Sequence, residues 1–351
     1  MNRERLTRGK LQGKVQTVCG LVEPERIGLT LLHEHVLVDI RPPAWREIEQ
    51  VGETITLANR YAIDYGEVLA PGNYVLDKED VAIAELRAMR QDGGETLVDL
   101  SCGGLHPDPL GLRRVSQAAG THIVMGCGYY VDEYQDSANH GRTVEDFTAE
   151  MVEQIQVGAW DTEVRAGVIG EIGCQVPWTD LEKRVMAAAV MAQQETGAAL
   201  SIHPGRDPDQ PQEIADFLRA HGADMSRSVI SHIDRTIFDE ERLFRLADTG
   251  VVIELDLFGM ETSYYKLNES VDMPNDAQRL RTLRRLVERG HLPQIAISQD
   301  ICFQTRLSCN GGHGYGHIFR NVVPMMKRRG FDEREIDTML RATPRRLLTI
   351  I

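Results

Sequence analysis

Six residues of this 351-residue chain carry side chains that could act together on a polar bond: His33, His35, Glu171, His203, His232 and Asp300. His33 and His35 stand two apart in His33-Glu34-His35. On a strand that spacing puts both rings on one side and turns Glu34 away, whereas on a helix the rings diverge by about 200°. The i, i+4 histidines of a helical H-E-x-x-H metalloprotease are therefore not what this motif offers. Taken singly, each residue has an ordinary reading. A strand-ending histidine satisfies a core or a loop, a glutamate caps a helix, and an aspartate accepts from loop amides. Gathered at one place, six ionisable groups are costly without a compensating cation, so metal binding is the expected chemistry. Four imidazoles and two carboxylates exceed the three protein ligands usual for one catalytic zinc, and two divalent ions are expected. Such a pair, about 3.5–4 Å apart, polarises a substrate oxygen and lowers the pKa of a shared water, which is the chemistry of hydrolysis. The donors suit Zn2+ and also accommodate Mn2+, Co2+ or Fe2+.

The elements that must position these residues are legible in the hydrophobic pattern. Eight short β-rich apolar runs recur: Gly28–His33, Thr96–Leu100, His122–Met125, Ala166–Gly170, Ala199–His203, Ser228–His232, Val251–Asp256 and Ile295–Asp300. Their near-continuous Val, Ile and Leu content is that of parallel strands covered on both faces. Helical spacing fills most of the intervals, at Lys78–Gln91, Pro109–Ala119, Val144–Val157, Asp180–Thr196, Gln212–His221, Glu240–Asp248 and Asn275–Arg289. Gly93, Gly120, Gly158, Gly197, Gly222, Gly250 and Gly290 follow them, where a left-handed residue would turn the chain into the next strand. Eight strand–helix units predict a closed (β/α)8 TIM barrel, and no glycine-rich dinucleotide loop follows the first strand to favour an open sheet. Leu11–Pro24 reads as a short N-terminal β-hairpin, Asp39–Asn73 as an insertion after strand 1, and Asp332–Leu348 as a closing helix. The whole chain, 1–351, is read as one domain. In a barrel the strand C-termini converge on one mouth, and the six candidate residues fall at or just beyond those ends.

Composition narrows the partners. Asp plus Glu total 53 against 39 Lys plus Arg, a net charge of −14 that phosphate backbones and anionic lipid would repel. Nucleic acid and membranes are not expected partners. No apolar run reaches the roughly 18 residues of a membrane span, and Met1–Lys10 lacks the apolar core of a signal peptide, so a cytoplasmic location is expected. The six cysteines are scattered without a C-x-x-C pair and read as reduced, buried thiols.

With these residues in place the sequence resembles the phosphotriesterase family of the amidohydrolase superfamily, and within it the phosphotriesterase-related branch. The resemblance is carried by Gly13-Lys14-Val15-Gln16-Thr17-Val18, Leu21-Val22-Glu23-Pro24, Leu32-His33-Glu34-His35, Ile169-Gly170-Glu171-Ile172-Gly173-Cys174, Ile202-His203-Pro204-Gly205-Arg206, Ser231-His232-Ile233-Asp234-Arg235-Thr236 and Gly311-Gly312-His313-Gly314-Tyr315. It implies that His33, His35 and Asp300 hold the more buried ion, that His203 and His232 hold the more exposed one, and that Glu171 bridges them. Phosphotriesterase itself bridges with a carboxylated lysine; Glu171 in that place argues against efficient phosphotriester hydrolysis. The lactonase branch usually shows Leu-Asp-Arg-Tyr-Gly after strand seven, where this chain has Leu255-Asp256-Leu257-Phe258-Gly259, although Tyr130 matches the tyrosine after strand three.

The resemblance implies a hydrolase of small N-acyl amino compounds, such as N-acyl amino acids or N-acetyltaurine, in which a hydroxide bridging the metals attacks the amide carbonyl. Asp300 is expected to carry the proton from that hydroxide to the leaving amine. An anionic substrate calls for a cationic receptor, and Arg206, Arg235 and Arg306 each follow a strand end, with Tyr130 beside them. His313 and His317 read as loop-packing residues. The alternatives are a carboxylesterase or lactonase with incidental phosphotriesterase action, and a non-enzymatic small-molecule-binding protein on the same scaffold. A homodimer is what the family implies.

Overall fold

The computed structural model describes residues 4–46 and 53–351. Residues 47–52, inside the expected insertion, and residues 1–3 lie outside that description. In chain order the strands are β1 (Val15–Thr17), β2 (Gly20–Val22), β3 (Thr30–Glu34), β4 (Val38–Asp39), β5 (Val75–Leu76), β6 (Thr96–Asp99), β7 (His122–Cys127), β8 (Val168–Gly173), β9 (Leu200–His203), β10 (Ser228–Ile230), β11 (Val252–Leu255) and β12 (Ile295–Ile297). β3 and β6 to β12 form one eight-stranded parallel sheet in sequence order. β1 and β2 make the expected hairpin, with Val15 opposite Val22. β4 and β5 pair antiparallel at the base of the insertion. Among the described residues no helix is long and apolar enough to cross a membrane.

Each intervening helix ends where its capping chemistry places it. Asp180–Thr196 starts at a reciprocal Thr179–Glu182 capping box and stops at left-handed Gly197, and Pro109–Ala119 runs from an Asp108 cap to left-handed Gly120. Gly158 departs from this pattern. It is not left-handed; a Cβ there would lie 2.1 Å from the Thr162 carbonyl oxygen, so close backbone approach is what requires glycine. The closing segment is continuous but not regular. A wide π turn, Thr338–Ala342, separates Glu333–Asp337 from Thr343–Leu348, just before Pro344, which has no N–H to donate back along the helix.

The core has two layers. Leu31, Leu97, Ile123, Ile169, Leu200, Ile230, Ile253 and Ile295 point outward onto the helices. Leu32, Val98, Val124, Val168, Val229, Val252 and Ala296 fill the barrel interior, which Val15, Ile27, Leu347 and Leu348 plug at the end opposite the mouth. A regular strand cannot turn two neighbours the same way. Yet Leu32 and His33 both serve the interior, and so do Val168 and, three residues on, Glu171. In both strands the register slips at the needed point, between Leu31 and Glu34 and between Ile169 and Ile172. These bulges change the phase of the side chains so that apolar packing gives way to polar chemistry near the mouth.

The strand ends differ from expectation in a related way. Glu171 lies inside β8 rather than after it, while β10 stops at Ile230 and β12 at Ile297. His232 (φ 56°) and Asp300 (φ 47°) then adopt left-handed backbone, which breaks the ladder and aims each side chain back over the mouth.

Between β12 and β3 the barrel closes partly through side chains. The Ser298 hydroxyl accepts from the His33 N–H at 2.9 Å and lies 2.8 Å from both the His33 carbonyl and Glu34 Oε1. Glu34, turned away from the two histidines as the spacing predicts, also accepts from the backbone N–H groups of Gln299 (2.8 Å) and Ile301 (3.0 Å). Burial raises its carboxyl to about 7 against the stabilising pull of those donors. Ser298→Ala should therefore lower unfolding stability by about 1–3 kcal/mol, the cost of stranding buried partners. An unchanged urea midpoint in the metal-free protein would show that the backbone closes the seam unaided.

Candidate metal centre

The six predicted residues meet at one point. Glu171, only 3% exposed, lies at its middle: Oε1 is 3.4 Å from His35 Nε2, and Oε2 is 2.8 Å from His203 Nδ1, 3.5 Å from His232 Nε2 and 3.6 Å from His33 Nε2. Asp300 Oδ1 completes the inner side at 3.3 Å from His35 Nε2 and 3.8 Å from His33 Nε2. On the outer side His232 Nε2 and His203 Nδ1 face each other at 2.9 Å. Donors bound at about 2.0–2.2 Å to one tetrahedral ion lie roughly 3–3.6 Å apart, and the spacings of 3.3, 3.4, 3.5 and 3.6 Å are those of a ligand shell. Fully buried His33 supplies an independent test. Neither of its ring nitrogens has a hydrogen-bond partner, and Nε2 faces Glu171 and Asp300, as a nitrogen aimed at a cation would. The buried histidine, glutamate and aspartate donors thus fit a centre for two divalent ions.

The electrostatics agree. Burial alone would raise Glu171, but the charges of His203 and His33 hold it well below the usual carboxylate range. Burial lowers His35, yet hydrogen bonds to Asp300 and Glu171, together with their charges, push it up to about 10. His203 moves the other way, to about 3, because burial and the neighbouring His232 and Arg235 outweigh Glu171. Cationic protons thus stand in the metal-free protein on the inner histidines where metal charge would otherwise be.

A surrounding set of groups, which strand-end reading passed over, fixes the ring orientations. Asp256 Oδ1 is 2.9 Å from His232 Nδ1, and its Oδ2 is 3.2 Å from His33 Nδ1 and accepts from the His232 N–H at 2.9 Å. Glu254 Oε2 lies 3.4 Å from His33 Nδ1 and accepts from Ser231 at 2.9 Å. Ser101 Oγ is 3.0 Å from His35 Nδ1, and Asp99 accepts from the N–H groups of Val36 and Ser101. The missed signal was alternation: Val252, Glu254 and Asp256 share one face of β11 and its continuation, and that face is interior. Such partners select which ring nitrogen is left to bind metal.

The three arginines part company. Buried Arg235 is spent on the carbonyls of Pro204 and Gly205, with Nη2 3.2 Å from His203 Nε2. Half-buried Arg206 donates to the Tyr265 hydroxyl at 3.0 Å and makes no ion pair among the described residues. Buried Arg306 bonds the carbonyls of Phe258 and Gln299 through Nη2. Tyr130 hydroxyl stands 3.4 Å from His203 Nε2. His317 packs as expected, 2.7 Å from Asp276, and the His313 ring lies against it, tilted by 36° with ring centroids 4.1 Å apart.

The model of the Phosphotriesterase family matches residues 13–348. This chain belongs to the phosphotriesterase family. It is 41% identical to the N-acetyltaurine hydrolase of Salmo salar over 97% of this chain and 99% of that protein. The phosphotriesterase-related protein of Nematostella vectensis is 40% identical, over 96% and 99% of the two chains. A crystal structure of a resiniferatoxin-binding protein from Rhodobacter sphaeroides superposes with a TM-score of 0.90 at 30% identity, covering 98% of each chain. As a phosphotriesterase family member, the chain places the Glu171 carboxylate between His35 on one side and His203, His232 and His33 on the other.

Two measurements test the centre. Metal binds imidazole only after its proton leaves, and the inner histidines keep protons well above neutrality, so apparent affinity should tighten as pH rises from 6 to 8, by about tenfold per unit for each proton displaced. Calorimetric titration of the metal-free protein in buffers of different ionisation enthalpy counts those protons; a count of zero contradicts the assignment. Asp256→Asn should weaken metal retention about 10–100-fold by misdirecting His232 and His33. Unaltered retention against a chelator would make Asp256 a bystander.

Proposed function

We propose that this chain is a metal-dependent amidase that cleaves small N-acyl amino acids or amino sulfonates, N-acetyltaurine among them. In this reading His33, His35 and Asp300 hold the inner ion, His203 and His232 the outer, and Glu171 both, with Zn2+ the expected metal. When bound, two such ions supply Lewis acidity to a carbonyl oxygen and a low-pKa water at neutral pH.

The observation that carries the amide reading is the placement of Asp300. Its side chain is 16% exposed where Glu171 is 3% exposed, so among the central carboxylates it alone reaches the open side of the site. One oxygen rests against His33 and His35, and the other lies 3.9 Å from His232 Nδ1. A carboxylate held this way can take a proton from the attacking water and deliver it to the nitrogen that leaves. Amides need that delivery because an unprotonated amine departs poorly, whereas a phenolate does not. Relatives named N-acetyltaurine hydrolases support the substrate class, with an acid group on the amine side. The second reading, an esterase or lactonase, is favoured by the Tyr130 hydroxyl beside His203, where it could meet a ring oxygen.

Asp300→Asn, reloaded with metal and assayed for metal content, should lower amide turnover about 10²–10⁴-fold, the usual worth of a general acid or base. Turnover of an activated aryl ester should fall far less. Equal losses on both substrates would assign Asp300 to metal retention alone and move the ester reading ahead.

A further inference from the structure

At the same end of the barrel as the metal centre lies a second feature with its own chemistry. A cavity of about 330 Å³ opens between the insertion and the loops that follow β11 and β12. Its walls include Tyr61, Tyr265 and Phe303, and three permanent cations, Arg60, Lys266 and Arg306, against two carboxylates, Asp64 and Glu261. In a chain of net charge −14 this excess of positive charge is local and directed. The carboxylates do not cancel it. Asp64 pairs with Arg60 at 3.8 Å and Glu261 accepts from the Asp276 N–H at 2.9 Å, which leaves three cations against two carboxylates.

Arg306 is the unusual member. It is only 7% exposed, and Nε and Nη1 have no hydrogen-bond partner, while Nη2 is pinned between two carbonyls. A guanidinium always carries its charge, so two orphaned donors on a buried one are costly until an anion meets them. Nη2 is also anchored to the Gln299 carbonyl at 3.1 Å, one residue before Asp300. Arg235 cannot take this role, since carbonyls and His203 occupy it.

We propose that Arg306, assisted by Arg60, is the receptor for the acid group of the substrate. It would grip a sulfonate or carboxylate on the amine side while the acyl group lies at the metal centre. The proposal rests on the amidase reading for the substrate but on the cavity for the anion. The aromatic walls and the volume would also admit amino acids larger than taurine.

The test uses the metal-loaded, full-length protein with N-acetyltaurine and a neutral amide, 4-nitroacetanilide, as substrates, and ethanesulfonate as the anion probe. In Arg306→Met, kcat/KM for N-acetyltaurine should fall about 100-fold, mainly through KM, the scale of losing a buried charged partner. The neutral amide, which has no acid group to grip, should lose at least about tenfold less than N-acetyltaurine. Equal losses on both would overturn the proposal and make Arg306 a loop clamp. Should that variant not fold, Arg60→Gln gives a second reading. Ethanesulfonate should compete with the neutral amide in the parent enzyme, and about fivefold less well in the variant, as expected for a partly exposed cation. Competition unchanged by Arg60→Gln, or absent in the parent, would likewise overturn it. A parent enzyme that ignores N-acetyltaurine yet is inhibited by ethanesulfonate through Arg60 would refute the substrate reading and leave the anion site standing.

Discussion

Glu171 is a carboxylate with almost no water, surrounded by four imidazoles, and the rest of the mouth is arranged around that fact. A buried anion is tolerable only when positive charge and hydrogen-bond donors surround it at short range. Here His203, His232, His33 and His35 all lie within 3.6 Å of its oxygens. Those imidazoles must in turn be held: the far nitrogens of His33, His232 and His35 lead to Asp256, Glu254 and Ser101, and that of His203 to the Tyr130 hydroxyl and Arg235. The site is a nested set of charges, in which each ring has a carboxylate or hydroxyl behind it and the Glu171 carboxylate before it. Removing one layer leaves the next uncompensated.

The barrel makes that nesting possible at places where regular β geometry would forbid it. Bulges in β3 and β8 shift the side-chain phase just before His33 and Glu171, and left-handed backbone at His232 and Asp300 turns two more groups inward after their strands have ended. Strained or irregular backbone persists only when its surroundings over-determine it. Around β12 that support is visible. Ser298 and Glu34 tie the last strand to the first through the residues that flank His33 and Asp300, so the barrel seam and the metal centre share atoms. Stability and ligand geometry are coupled there, whereas the apolar plug of Val15, Leu347 and Leu348 at the far end serves stability alone.

How much of this could be read from the sequence follows from which interactions are periodic. The eight strands, most helices and the hairpin were legible because apolar spacing and capping residues are local signals; Thr179 with Glu182, or Asp108 with Pro109, place a helix start within a residue. The six residues that cluster at the mouth were legible because charged residues at strand ends contradict the hydrophobic run before them. What stayed hidden depends on irregularity or on partners distant in sequence. Neither bulge has a residue signature here. The early ends of β10 and β12 follow from the conformations of His232 and Asp300, which no pattern announces. Asp256 and Glu254 were visible as residues but not as partners, since their role exists only once β11 lies beside β10 and across from His33. Similarly, Arg206, Arg235 and Arg306 looked equivalent after their strands, and only their carbonyl partners separate them.

The distribution of exposure among the acidic groups then bears on mechanism. Asp256, Glu254 and Glu34 are fully buried and Glu171 nearly so; Asp256, Glu34 and Glu171 are engaged on both oxygens by rings, hydroxyls or backbone N–H groups, and Glu254 through Oε2 alone. Such carboxylates set fields and orientations; they have no route for a proton to a substrate. Asp300 differs in position rather than in chemistry, because its left-handed backbone lifts it to the open side while one oxygen keeps contact with His33 and His35. A group that must alternate between accepting and donating a proton needs electrostatic anchorage and access together, and in this mouth only one carboxylate of the central set has both. That asymmetry ties the demand of amide cleavage, a protonated leaving nitrogen, to a single backbone conformation at the end of the last strand.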